Sequence, residues 1–316
     1  MINQPARIVW FLTITCTLIF AVGSSAQDSA ETTDFPTLIG PYLGQEPPGI
    51  EPALFAEGII AVDDIEHCFP TFNSDGTEVF WMTIKRGSRP KIMHMEMRDG
   101  VWTAPGIAPF SGEFSDQAPV YSLDGNRLYF ASNRPGGFGG SDIWYVEKTD
   151  SGWTEPVNLG SPPNSEDGET QPTFTNGGSV YFVGKMDSVQ WERGIYRSRL
   201  IDGKYAEREA LLYPINTEYA DAYPFIAPDE SYLIFASTRP GGNSVETDLY
   251  ISFINDDGTF GEPQHMDESI NNGKSVGFPY VTLDGKYLFF GRFIDSGTDA
   301  FFWVDGKVID KYRPNR

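Results

Sequence analysis

The chain has 316 residues, 40% of them apolar and 14% aromatic, which is enough to bury a sizeable core. A formal charge of −21 repels phosphate backbones and so argues against nucleic acid as a partner. With 33 glycines and 23 prolines the sequence is broken into short runs, and no long stretch keeps a helical period, which excludes a helical bundle.

The chain opens with Arg7 at the end of a short n-region, an apolar stretch over Ile8–Val22 and the small-residue run "GSSAQ". This pattern predicts an export signal over residues 1–26, cleaved after Ala26. The apolar stretch is too short for a membrane span, so none is expected after cleavage. Cleavage would leave Cys68 as one thiol without a disulfide partner, expected to be buried and inert. Residues 27–49 read as a lead-in, and 50–316 as the folded body.

From Ile50 onward the sequence repeats itself. "PTFNSDG" begins at Pro70, "PVYSLDG" at Pro119, "PTFTNGG" at Pro172, "PFIAPDE" at Pro224 and "PYVTLDG" at Pro279. The spacing of roughly 50 residues is that of propeller blades. Each copy holds the proline on a first strand, then an Asx-Gly-type turn and an apolar second strand ("EVFWMT", "RLYFAS", "SVYFVG", "YLIFAS", "YLFFGR"). A Gly/Pro/Ser-rich loop follows, then a third strand ("KIMHME", "DIWYVE", "GIYRSR", "DLYISF", "DAFFWV"). A second hairpin leads to an outer strand carrying Trp102, Trp153, Tyr205 or Phe260. The expected fold is therefore an all-β, five-bladed β-propeller of four-stranded antiparallel blades. "IEPALF" (Ile50–Phe55) matches the outer-strand pieces "TEPVNL" and "GEPQHM" but has no blade before it, so it is expected to close the ring as the outer strand of the last blade. The competing candidate for that slot is the C-terminal "DGKVIDKY".

The second copy, "APVYSLDGNRLYFASNRPGGFGGSDIWYV", and the fourth, which keeps Ser237, Arg239–Gly242, Asp248 and Tyr250, resemble the repeat of the WD40-like, TolB-type β-propellers of bacterial envelopes. The resemblance runs from about Gly40 to the C-terminus. It implies an envelope location and the binding of a protein or ligand, but no reaction. The first and third copies lack the Arg-Pro-Gly-Gly loop.

Three residues before each marker proline stand His67, Asp116, Glu169, Asp221 and Val276. On the innermost strands these positions are expected to face the axis at one mouth of the channel, where His67, Asp116, Glu169 and Asp221 would form a ligand site. Facing carboxylates disfavour each other unless they share a proton or a cation. Asp116, Glu169 and Asp221 would accordingly offer oxygen ligands to Ca²⁺ or Mg²⁺, with Ca²⁺ the cofactor expected there. Arg134 and Arg239 in the rim loops would brace their loops against Asp142 and Asp248, or clamp an anion. Phe138 and Trp191 are further rim candidates. "KIMHMEM" puts Met93, Met95 and Met97 on one strand face, expected to pack against the next blade rather than to bind copper. Ser275 in "GKSVG" precedes a strand, not a helix, and so makes no nucleophile elbow. No convergent nucleophile–base set is legible.

These features predict an exported protein, periplasmic or secreted and monomeric, acting as a non-enzymatic binding module for an envelope protein or a glycan. The alternative is a glycan-active hydrolase that uses the channel-mouth carboxylates.

Overall fold

Every antiparallel hairpin expected from the repeat is present in the computed structural model, which describes residues 35–60, 65–85, 87–186, 193–242, 246–272, 275–295 and 298–314. Of residues 65–69, 294, 295, 298 and 299 it describes the backbone alone. The segment expected to be an export signal lies outside the described residues, as do Trp191 and the side chains of His67 and Cys68. Thr37–Arg316 form one compact unit.

Five small sheets stand in a ring, each packed on the next through its innermost strand. Blade 1 runs Ile65–Phe72, Glu78–Lys85, Lys91–Arg98; blade 2 runs Asp116–Tyr121, Arg127–Ser132, Asp142–Thr149; blade 3 runs Thr170–Phe174, Val180–Lys185, Arg193–Ser198. Blade 4 runs Asp221–Ile226, Tyr232–Ser237, Asp248–Phe253, and blade 5 Ser275–Val281, Tyr287–Asp295, Thr298–Asp305. The fold is a five-bladed β-propeller. Among the described residues no helix is long and apolar enough to cross a membrane.

The outer strand departs from the simple meander expected. In blades 1 and 2 it is two pieces, Val101–Trp102 with Gly106–Ile107 and Gly152–Trp153 with Val157–Asn158. Pro105 and Pro156 stand between the pieces, and a proline has no N–H to give to the ladder.

The ring closes with the N-terminal segment. Ala53 pairs with Trp303 and Leu54 with Phe302, so Ala53–Leu54 is the outer strand of blade 5. The C-terminal Gly306–Tyr312 is instead a 3₁₀ helix docked beside blade 4, where the Tyr312 hydroxyl accepts the Asp267 N–H and the Tyr312 carbonyl accepts from the Gln264 amide. Around the closure Phe55 lies edge-on to Phe72, Phe289 and Trp303, at 5.8, 5.0 and 5.0 Å. The lead-in caps the same junction: Tyr42 packs on Phe72 and Tyr287, and Trp102 donates its indole N–H to the Gly40 carbonyl at 2.8 Å.

All five innermost strands slip register across the marker proline. The residue before it is left-handed in four of them: Ala118 at φ +52°, Gln171 at +57°, Tyr223 at +53° and Phe278 at +56°. The slip is a β-bulge, placed where proline could not have served the ladder.

Candidate functional site

The prolines, not the acids, line the axis. Pro70, Pro119, Pro172, Pro224 and Pro279 enclose a cavity of about 30 Å³, closed further by Val120, Phe225 and Tyr280. That is room for about one water at the level of the prolines.

Asp116, Glu169 and Asp221 are fully or almost fully buried, each inside its own blade. They do not form the expected open carboxylate ring at the channel mouth, because each is closed by donors of the protein. Asp116 Oδ1 accepts from the Ser132 hydroxyl at 2.7 Å and from Arg134 Nη2 at 2.8 Å; Oδ2 accepts from the Ser111 hydroxyl at 2.8 Å. Asp221 repeats the arrangement: Ser237 and Arg239 donate to Oδ1 at 2.6 and 2.7 Å, and the Thr217 hydroxyl and N–H donate to Oδ2 at 2.7 and 2.8 Å. Glu169, in a blade without the Arg-Pro-Gly-Gly loop, takes its guanidinium from Arg208 at 2.5 Å and two bonds from Ser165. Burial pushes the Glu169 carboxyl up, against the opposing pull of Ser165 and Arg208. In each carboxylate a guanidinium takes one oxygen and protein donors take both, so a Ca²⁺ would have to displace them.

Arg134 and Arg239 therefore bind the acid of the innermost strand, not Asp142 or Asp248 as expected. Both also reach back to carbonyls of the preceding inter-blade loop, Arg134 to Phe110 and Arg239 to Pro214 and Ile215, and both lie over an aromatic ring. The loop itself is held by the aspartate. Asp142 Oδ2 accepts the Phe138 N–H at 2.6 Å and the Asn158 amide at 2.9 Å. A Cβ at Gly137 or Gly242 would fall 2.0 Å from an oxygen of Asp142 or Asp248, so the second glycine of each loop makes room for that carboxylate. Phe138 is 53% exposed at the loop tip.

Blade 5 shows the rule by exception. Val276 replaces the acid, and the guanidinium comes from Arg292, which donates to the Ser269 and Ile270 carbonyls and lies 4.2 Å over Phe302. Arg292 makes no ion pair among the described residues, and burial pulls its pKa down.

Beside the mouth, between blades 2 and 3, a polar pocket of about 280 Å³ opens. Its walls include Gln117, Asn133, Ser141, Glu169, Thr170 and Arg193. The hydroxyls of Thr170, 7% exposed, and Ser141 are buried and find no hydrogen-bond partner among the described residues. The sequence singled out Glu169 here but missed the two hydroxyls, which look ordinary in a strand and a loop.

Glu78, His94 and Glu96 form the cluster closest to a metal-ligand set, with ligand atoms within 4.8 Å of one another. Cationic side chains already occupy it: Lys148 Nζ lies 2.6 Å from Glu78 and Arg98 pairs with Glu96. His94 stacks on Phe80 at 4.3 Å, and Met95 on the opposite strand face is buried in the core. Burial alone would raise the Glu78 carboxyl, but hydrogen bonds from His94 and Lys148 outweigh it and hold the pKa at about 2, against 4.5 for a free glutamate. A depressed carboxyl stabilises the fold fully above the unfolded value and loses that contribution as pH falls. Acid titration of Glu78→Gln should therefore show a smaller loss of melting temperature between pH 4.5 and about 2 than the parent. Equal losses would show that the pair adds nothing. Ser275 shares a hydrogen bond with Thr247 at 2.7 Å on the inner strand of blade 5.

No family model matches the chain, and no curated protein matches it. Solved structures do. An endo-arabinase from Bacteroides thetaiotaomicron aligns with TM-score 0.52 and 18% identity over 82% of this chain and 97% of that one. An α-L-arabinofuranosidase from Lactobacillus brevis aligns with TM-score 0.50 and 13% identity, covering 78% and 91%. TolB from Acinetobacter baumannii gives TM-score 0.44 and 17% identity over 75% of this chain, which spans 54% of that protein's length. At these identities the likeness establishes the propeller fold, which hosts binding proteins and enzymes alike.

Proposed function

We propose that this protein is exported and serves the cell envelope as a non-enzymatic binding module, engaging a protein or a glycan through the rim around the channel mouth. One observation carries the reading: the buried acids are closed by guanidinium and hydroxyl donors, while the neighbouring pocket holds two buried hydroxyls with no protein partner among the described residues. An unsatisfied buried hydroxyl costs about 1–3 kcal/mol, a cost that a ligand's polar group would relieve. Arg193, exposed at the pocket edge and without an ion pair among the described residues, adds a donor fork.

The test uses a photoreactive residue at Asn133, exposed on the pocket wall, for cross-linking in intact cells. The parent should capture one defined partner. Thr170→Val should reduce that capture while raising stability by about 1 kcal/mol, since it deletes an unpaired hydroxyl. Turnover of arabino- or other neutral oligosaccharides by the parent, abolished in a folded Glu169→Gln variant, would replace this reading by the hydrolase.

A further inference from the structure

Three of the gaps between successive blades are plugged by an aromatic from the outer hairpin of the later blade. Between blades 1 and 2 the plug is Trp153, which meets Phe80, Tyr121 and Phe110 at 5.6, 6.1 and 6.4 Å. Between blades 3 and 4 it is Phe260, packed on a cluster of eight buried residues. Between blades 2 and 3 the plug is Tyr205, smaller than Trp153, and the cluster beneath it has five buried members with Tyr145 and Leu159 left half-covered. Its hairpin pairs Leu200–Ile201 with Lys204–Tyr205, as Gly152–Trp153 pairs with Lys148 and Thr149 in blade 2. The junction is therefore incompletely filled. A cleft of about 860 Å³ opens there, walled by Tyr129, Tyr145, Phe174 and Tyr205, within the size range of ligand sites.

The chemistry of the cleft is specific. Its charged groups are matched within the protein: Arg127 binds Glu147 through Nε and Nη2 at 2.9 and 2.7 Å, Lys148 binds Glu78, and Asp124 accepts from Ser122 and the Asn126 N–H. On a chain of charge −21 this cleft is locally balanced, so it offers a charged ligand no net attraction. The Tyr205 ring stacks on no other ring among the described residues, and its hydroxyl has no hydrogen-bond partner among them. The Asn176 side-chain amide is likewise uncommitted among the described residues. Tyrosine faces with a polar tip, beside an amide that both donates and accepts, suit a ligand with apolar ring faces and hydroxyl edges.

We propose that this cleft binds a neutral oligosaccharide, with a sugar face against Tyr205 and its hydroxyls on the Tyr205 phenol and the Asn176 amide. The site stands apart from the mouth pocket, with which it shares no lining residue.

Saturation-transfer NMR on the full chain tests it. The probes are short neutral gluco-, xylo- and arabino-oligosaccharides, with oligogalacturonates and alanine peptides as charged and peptidic controls. At least one neutral series should bind and the controls should not. Tyr205→Trp, which copies the plug of blade 2, should keep the melting temperature and weaken binding by about tenfold or more. Tyr145→Ala should weaken it too, whereas Thr170→Val should leave it unchanged. Absence of binding by every neutral series, binding by a control alone, or undiminished binding to Tyr205→Trp would overturn the proposal. Loss of partner capture at Asn133 with intact sugar binding would instead count against the mouth as the functional face.

Discussion

Asp221→Ala should lower the unfolding free energy by about 3–5 kcal/mol, the range for removing one partner of a buried ion pair. The carboxylate is 2% exposed, and the substitution would strand Arg239 beside the Ser237 and Thr217 hydroxyls. Arg239 ties three parts of the blade together: the innermost strand through Asp221, the second strand through Ser237, and the preceding loop through the Pro214 and Ile215 carbonyls. Urea unfolding would read the effect directly. A loss below about 1 kcal/mol would mean that the pair is no better than a surface salt bridge.

Phe55→Ala should cost a comparable amount, about 3–5 kcal/mol by the usual effect of truncating a core phenylalanine. Phe55 is fully buried and meets three rings that belong to blades 1 and 5. It follows the two-residue strand that closes the ring, and its N–H donates to the Phe301 carbonyl at 2.8 Å. A β-propeller depends on such closure because an open end exposes an unpaired strand edge. Hydrogen exchange in the variant should rise first in Thr298–Asp305, the strand that Ala53–Leu54 covers. Unchanged protection there would show that blade 5 holds without its N-terminal strand.

The strands and the ring closure were legible because they rest on local signals: alternation, Asx-Gly turns, and the match of "IEPALF" to two internal outer strands. The donors that close the acids were not legible, because Ser132, Ser237 and Arg208 come from other elements of the blade and meet the carboxylates only in the folded sheet. The proline was itself a signal for the bulge, since it cannot serve a central ladder. The pairing of acid with arginine was also present in the sequence. Aspartate at the acid position and the Arg-Pro-Gly-Gly loop occur together in the second and fourth repeats, and the fifth, with Val276, lacks both. Glu169 escapes that rule, because Arg208 comes from the far side of its own blade. The tyrosine cleft depends on the difference in bulk between Trp153 and Tyr205, which no local pattern announces as a cleft.

The account rests on the acids of the innermost strands being bonds of the scaffold rather than working groups. A double-mutant cycle on Asp221→Ala and Arg239→Ala, followed by urea unfolding, addresses this most directly. The account predicts a coupling of at least about 2 kcal/mol, with the double variant more stable than the sum of the single losses implies. Additive losses, with a ligand or substrate signal that disappears in the folded Asp221→Ala variant alone, would contradict it.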